Sequence, residues 1–266
     1  MFMGLNEEIN SYFRELGGGK IGIASANRPW IYATNSQHPR DIMSECNSVI
    51  VLAIGTGLND FVTANFGGKS IDVDGKTYRV SQLFIEWLTY RVAGFLRRKG
   101  FKTFTPIDWT GSEAWLSMDK RIHKFSFKLA AYEAGIGVFG KCGLIITPEY
   151  GPRTKLGVVM TDALLEPTGK IEDFNPCINC TICAENCPVK AIDSTLPPPK
   201  GFNRDKCLKF YQYLRKSTNW KIIHCAVCFE VCPIAKNREY TLERHNTFLS
   251  IDEVQRKKLI EDFNYK

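Results

Sequence analysis

Hydrophobic positions in the first 165 residues follow both helical and strand spacing. Apolar residues three and four positions apart predict an amphipathic helix at 5–16 and a longer one at 78–98. Apolar runs predict strands at 20–26 and 46–55, and the second is expected to be a buried central strand because it is apolar on both faces. The remaining predicted elements are a short helix near 41–45, a strand at 102–107, a helix at 119–134 and a hairpin of 144–147 with 155–161.

Prolines and glycines mark where this first part ends. Residues 166–176 contain Pro167, Gly169 and Pro176 and are predicted to be a linker. Apolar spacing returns near the end of the chain, where it predicts a terminal helix at 251–263. The predicted organisation is α+β, with an α/β domain at 1–165, a second domain at 166–245 and a helical tail at 246–266.

The second predicted domain contains two cysteine runs. Residues 177–188 have the sequence CINCTICAENCP, which is the C-x₂-C-x₂-C-x₃-C-P run of bacterial ferredoxins. A second run, Cys225, Cys228 and Cys232, is also followed by proline but lacks one cysteine, and Cys207 is the other cysteine nearby. The spacing predicts a ferredoxin-like domain with two 4Fe–4S clusters.

The ligands of the two clusters follow from the ferredoxin rule that the last cysteine of a run binds the other cluster. The predicted first set is Cys177, Cys180, Cys183 and Cys232, and the predicted second set is Cys187, Cys207, Cys225 and Cys228. Zinc and disulfides are the alternatives. Zinc uses four ligands per site and suits paired cysteines, but it explains neither the third and fourth cysteines of each run nor the two prolines.

Composition and charge narrow the classes of protein. Hydrophobic residues make up 44% of the chain, which is enough for a core, and no stretch approaches the ~20 apolar residues of a membrane span. The first residues do not follow the basic-then-apolar order of a signal peptide, so a cytoplasmic protein is expected, where cysteines stay reduced. The formal charge of +7 is weak evidence for nucleic acid binding, because thiolate-bound clusters would offset it.

One segment before the cysteine runs is similar to a known superfamily. Residues 134–162, AGIGVFGKCGLIITPEYGPRTKLGVVMTD, resemble the segment ahead of the clusters in reductive dehalogenases, and epoxyqueuosine reductases have a related glycine turn. The stretch HPRDIMSECNSVIVLAIG resembles their early strand, and both families place an isolated cysteine where Cys207 stands. The resemblance covers roughly residues 38–235.

This resemblance implies a nitroreductase-like N-terminal domain that holds a cobalamin near one cluster. Electrons would pass through the clusters to the cobalt, and a side chain would supply a proton to the substrate. Tyr78 and Asp108 match the relative positions of a tyrosine and an aspartate that line the substrate face of the cobalt in epoxyqueuosine reductases, and in the dehalogenases a tyrosine before the same helix is the proton donor. The predicted cofactor-binding residues are those of the glycine turn: Gly135, Gly137, Gly140, Lys141 and Cys142.

Alternatives remain for several of these residues. Tight backbone packing is the other explanation for the glycines. Lys141 and Arg153 either contact cofactor amides or phosphate or lie solvated at the surface, and Cys46 is expected to be a buried thiol that binds no cluster.

Other functions also remain open. A nitroreductase-like fold also suits FMN, which would give a flavin-dependent reductase, and an electron-transfer protein without a substrate is a further alternative. The helical-repeat region that helps epoxyqueuosine reductases bind tRNA does not follow Cys232, and a twin-arginine export signal is missing. We therefore expect a small-molecule substrate rather than tRNA, no membrane association and an external electron donor such as ferredoxin or flavodoxin.

Overall fold

The computed structural model has a mixed α+β fold, as predicted. It describes residues 4–30, 38–55, 76–106, 125–219, 225–234 and 248–264. The strands are β1 (Lys20–Ser25), β2 (Ser48–Gly55), β3 (Thr103–Phe104), β4 (Val138–Phe139), β5 (Ile145–Ile146) and β6 (Thr154–Thr161). The helices are α1 (Leu5–Glu15), α2 (Pro39–Ile42), α3 (Lys76–Arg98), α4 (Phe127–Glu133), α5 (Ile182–Glu185), α6 (Arg204–Ser217), α7 (Val227–Glu230) and α8 (Glu253–Asn264), with a 3₁₀ turn at Phe248–Ser250.

The chain divides into two compact units. The first contains residues 1–56, 80–138 and 154–174, and the second contains 57–79, 139–153 and 175–266. The segment 139–153 therefore belongs with the cysteine-containing part of the chain, although it precedes the predicted linker.

The first unit is built on an antiparallel sheet in the order β1-β2-β6-β3. Strand β2 lies inside this sheet and is buried from Ser48 to Ile54, which confirms the prediction of a central strand. Helices α1 and α3 contribute Ile9, Phe13 and the stripe Ile85–Leu96 to the core. Both helices form where the apolar spacing predicts them, but part of the apolar pattern of α3 is not buried, since Leu83 is 65% exposed and Trp87 is 44% exposed.

The predicted hairpin of 144–147 with 155–161 is wrong. Strand β6 pairs with β2 and β3, whereas β5 pairs with β4. A bridge between Thr147 and Gly151 closes a tight turn, with Gly151 at φ +59°. The residues that follow include the buried run Val158–Met160, which needs cover on both faces and therefore lies inside the sheet.

The core of the second unit is formed by Phe210 and Leu214 of α6 together with Val227 of α7. The terminal helix α8 contributes Phe263, whose ring meets that of Phe210 edge-on at 5.1 Å between centroids. Helix α6 begins at a cap in which the Asn203 side chain accepts a hydrogen bond from the Lys206 backbone N–H. The predicted helical tail is thus packed against the cysteine-containing unit.

No helix in the described ranges is both long enough and apolar enough to cross a membrane.

Candidate iron–sulfur site

A pocket in the second unit is lined by cysteines from three separate segments. Its walls include all four cysteines of the predicted first set: Cys177, Cys180, Cys183 and Cys232. The other lining residues are Cys142, Cys228, Ile146, Ile182, Ile234, Pro176 and Pro233. Sulfur donors in largely apolar walls suit an iron–sulfur cluster.

The local backbone explains how one run supplies three of these thiols. The Cys180 N–H donates to the Cys177 carbonyl in a turn, and α5 begins immediately afterwards with Cys183 inside it. The fourth cysteine, Cys232, comes from a distant part of the sequence and follows α7.

The second predicted set lies in the core of the same unit. Cys187, Cys225 and Cys228 belong to this core or pack against it, and so does Cys207 of α6. Burial, together with the neighbouring Cys207 and Cys187, raises the pKa of Cys225 to about 12. Cys187 also accepts a hydrogen bond from the Ala191 N–H at 3.2 Å from its Sγ.

Electrostatics in the first pocket disfavours bare thiolates. Burial raises the pKa of both Cys177 and Cys232, and the adjacent Cys142 thiol, followed by burial, raises the pKa of Cys183. In the described part of the chain, no three cysteine, histidine, aspartate or glutamate side chains form a group for one metal ion. Iron removes the cost of the thiolate form because coordination supplies positive charge. The donor set therefore fits an iron–sulfur group.

Lys141 contacts the loop of the first cysteine run. Its Nζ donates to the carbonyl oxygens of Ile178 at 3.2 Å and Cys180 at 3.1 Å, and its side chain is only 5% exposed. The preceding Gly140 allows this approach, since a Cβ there would lie 2.8 Å from Ile146 and 3.5 Å from the Cys177 Sγ. The solvated alternative for Lys141 is thus wrong.

Arg153 contacts the loop that carries Cys232. Its guanidinium donates to the carbonyl oxygens of Ile234 at 3.1 Å, Cys232 at 3.2 Å and Glu230 at 3.3 Å. It is 5% exposed and lies over the Phe229 ring, so a solvated position is wrong here too. The sequence contains no signal for these contacts, because the partners of Arg153 lie 77 to 81 residues further along the chain.

Cys142 lies between cysteines of the two predicted sets. It is 6% exposed and its thiol is adjacent to those of Cys183 and Cys228. The sequence predicted Cys142 at the cofactor, and the structure places its thiol next to Cys183 and Cys228, which are predicted cluster ligands.

Gly135 and Gly137 of the glycine turn lie in the first unit. Gly135 has φ +66°, and a Cβ there would overlap the carbonyl oxygen of Gly169. Gly137 is buried. Close packing of the turn on the linker therefore accounts for the glycine at 135.

A buried ion pair precedes this turn. The Glu133 carboxylate is fully buried and lies 3.3 Å from an Arg28 guanidinium nitrogen and 3.0 Å from the Lys170 Nζ. Arg28 also donates to the Glu133 carbonyl oxygen at 2.9 Å. These contacts join the end of α4 to two other segments of the first unit.

The side chains of the two predicted catalytic residues, Tyr78 and Asp108, are not among the described parts of the structure. The backbone of Tyr78 belongs to α3, but its side chain lies outside the described residues, as does all of Asp108.

Comparisons with known proteins point to one superfamily. No family model matches the chain. An epoxyqueuosine reductase from Atelocyanobacterium thalassa is 27% identical, with 87% of this chain and 80% of the relative covered. A tetrachloroethene reductive dehalogenase from Sulfurospirillum multivorans is 26% identical, with 84% of this chain and 48% of the relative covered. An epoxyqueuosine reductase from Bacillus subtilis is 31% identical over 127 residues, which is 31% of its length.

Solved structures of both enzymes share the fold. The epoxyqueuosine reductase of Streptococcus thermophilus has a TM-score of 0.61 at 18% identity and covers 91% of this chain and 69% of its own. A catabolic reductive dehalogenase has a TM-score of 0.62 at 21% identity, covering 97% of this chain and 36% of its own. The relatives by sequence and the neighbours by fold are the same two kinds of enzyme. The relatives by sequence, together with the shared fold, support membership of the superfamily that contains the epoxyqueuosine reductases and the reductive dehalogenases.

Proposed function

We propose that this protein is an oxidoreductase with two 4Fe–4S clusters and a cobalamin, acting on a small or nucleoside-like substrate. The observation that carries the proposal is the pocket in which Cys232 meets the run Cys177–Cys183. A two-cluster ferredoxin arrangement requires this meeting of two runs, because each run completes the site of the other.

The proposal assigns the cysteines to two sites. The first set would hold one cluster in the pocket, and the second set would hold the other in the core of the unit. Bound clusters supply one-electron transfer, and a bound cobalamin supplies a strongly reducing cobalt. An external ferredoxin or flavodoxin is the proposed source of electrons.

Cobalamin enters the proposal through the relatives. One neighbour by fold is a reductive dehalogenase described with B12-dependent dehalogenation, with a TM-score of 0.59 at 21% identity. We keep Gly135 and Gly137 as proposed cofactor neighbours, and the contacts of Gly140, Lys141 and Cys142 favour a role on the cluster side. Tyr78 and Asp108 are the proposed proton sources at the substrate.

The substrate class is the most open part of the proposal. One epoxyqueuosine reductase of similar fold was solved with a modified tRNA stem loop, with a TM-score of 0.59 at 22% identity. The sequence relatives also include dehalogenases named for tetrachloroethene and trichloroethene. We propose a small or nucleoside-like substrate. Because Tyr78 and Asp108 are its proposed proton sources, Tyr78→Phe or Asp108→Asn should slow its reduction by about 10²–10⁴-fold without loss of iron.

Titration of the anaerobically reconstituted protein with cob(II)alamin, followed by its EPR signal, tests the cofactor. Binding at micromolar concentrations is the expected result. No binding, together with a flavin spectrum on addition of FMN, would favour a flavin-dependent reductase. If neither cofactor binds to protein with intact clusters, the electron-transfer alternative replaces the proposal.

A further inference from the structure

We propose that Lys141 and Arg153 are positioning residues that join the two ligand segments of the first cluster and raise its reduction potential through their buried charge. This inference rests on the two-cluster function proposed above. Both residues belong to the segment 139–153, which contains no ligand of either predicted set.

Each cation contacts a different ligand segment. The two bonds from the Lys141 Nζ end on the loop between Cys177 and Cys180, within 3.2 Å. The three bonds from Arg153 end on the backbone around Cys232, within 3.3 Å. One short segment therefore contacts both backbone stretches that must meet for four thiols to face one cluster.

Glycines let this segment approach the cysteine loops closely. Gly140 lies against Cys177, as described above, and a Cβ at Gly151 would overlap the carbonyl oxygen of Ile234. Gly151 also has φ +59°, which disfavours other residues. The backbone next to each cation is thus fitted to the loop that the cation contacts.

The charges of Lys141 and Arg153 act strongly on the first cluster site because both side chains are buried. Both side chains are 5% exposed, so water screens them little. The charge of Lys141 acts on Cys177 and Cys183, and that of Arg153 acts on Cys232. Reduction adds one negative charge to a cluster, and a nearby fixed cation stabilises the reduced form. Removal of either cation should therefore make the potential of the first cluster more negative.

The experiment compares neutral and charge-keeping variants of the full-length protein with reconstituted clusters. Lys141→Gln and Arg153→Gln keep an amide donor but lose the charge, whereas Lys141→Arg and Arg153→Lys keep the charge. Lys190→Gln is the matched control, because the exposed Lys190 also donates from Nζ to a backbone carbonyl, that of Glu185, at 2.7 Å. EPR-monitored redox titration gives the midpoint potentials, and the signal that remains in Cys207→Ala identifies the first cluster.

We expect a more negative midpoint for the first cluster in both glutamine variants. The charge-keeping variants and Lys190→Gln should stay close to the wild type. If a glutamine variant loses the iron of the first cluster and its charge-keeping partner retains it, the need for a cation is also supported.

Unchanged midpoints in the glutamine variants would overturn the inference. Equal shifts, or equal loss of iron, in the neutral and charge-keeping variants would overturn the role of charge. If the wild-type protein binds only one cluster, the proposed two-cluster function is wrong. This failure is distinguishable from failure of the inference, because it is seen in the wild type alone.

Discussion

At the scale of single residues, the charges with the most consequence are the buried ones. The Glu133 carboxylate has no exposure, and Arg28 and Lys170 are placed around it from two other segments. The loss of one member of a buried ion pair leaves uncompensated charge in a medium of low dielectric constant. Exposed pairs of the same composition have no such cost because water solvates the remaining partner.

Glu133→Ala should lower the free energy of unfolding by about 1–3 kcal/mol, because Arg28 and Lys170 lose their partner but are 38% and 24% exposed, so water solvates them in part. Urea unfolding followed by circular dichroism measures the change. Glu253→Ala is the control, because Glu253 pairs with Lys257 on the surface of α8. Equal unfolding midpoints for the two variants would show that the ion pairs of the buried Glu133 stabilise the fold no more than the exposed pair does.

Cys142 tests the assignment of ligands at the same scale. It lines the pocket but belongs to neither predicted set. Cys142→Ala should bind about eight irons per chain, as expected for two intact cubanes. Iron and acid-labile sulfide assays measure this, and a content near four would show that Cys142 is itself a ligand.

At the scale of secondary-structure elements, the sequence predicted the helices and strands that have a local apolar pattern. The continuous apolar run of β2 identifies a buried strand without knowledge of the neighbours, whereas the apolar spacing of α3 identifies the helix but also includes the exposed Leu83 and Trp87. Strand β6 was misassigned to a hairpin because nothing within 154–161 specifies the strands beside it. The burial of Lys141 and Arg153 was also missed, because their partners lie 37 to 81 residues further along the chain.

The turn after α4 gives a prediction about close packing. Gly135 and Gly169 both have positive φ, but a Cβ at Gly169 meets no atom within 4 Å, whereas a Cβ at Gly135 would overlap the Gly169 carbonyl oxygen. Gly169→Ala should therefore cost only the conformational strain of about 1–2 kcal/mol.

Gly135→Ala should cost clearly more, because the turn must also move away from the linker. Thermal unfolding of the two variants measures the difference. If both have the same melting temperature, the contact of the turn with the linker does not constrain the fold.

At the scale of the whole molecule, cysteine spacing predicted more than any other feature. It predicted that Cys232 lies with Cys177, Cys180 and Cys183, and these four line one pocket together with Cys142 and Cys228. The division of the cysteines into two ligand sets stays a prediction, which rests on the spacing that a bound cluster requires. The substrate side could not be derived in this way, because Tyr78 and Asp108 depend on resemblance alone.

The most direct test of the account is the iron and acid-labile sulfide content of the reconstituted protein, compared with that of Cys207→Ala. Cys207 is the one proposed ligand that lies outside both cysteine runs, on α6. The account predicts about eight irons and eight sulfides per chain for the wild type and about half as many for Cys207→Ala, with the first cluster retained. A wild-type content near four, or an unchanged content in Cys207→Ala, would contradict it.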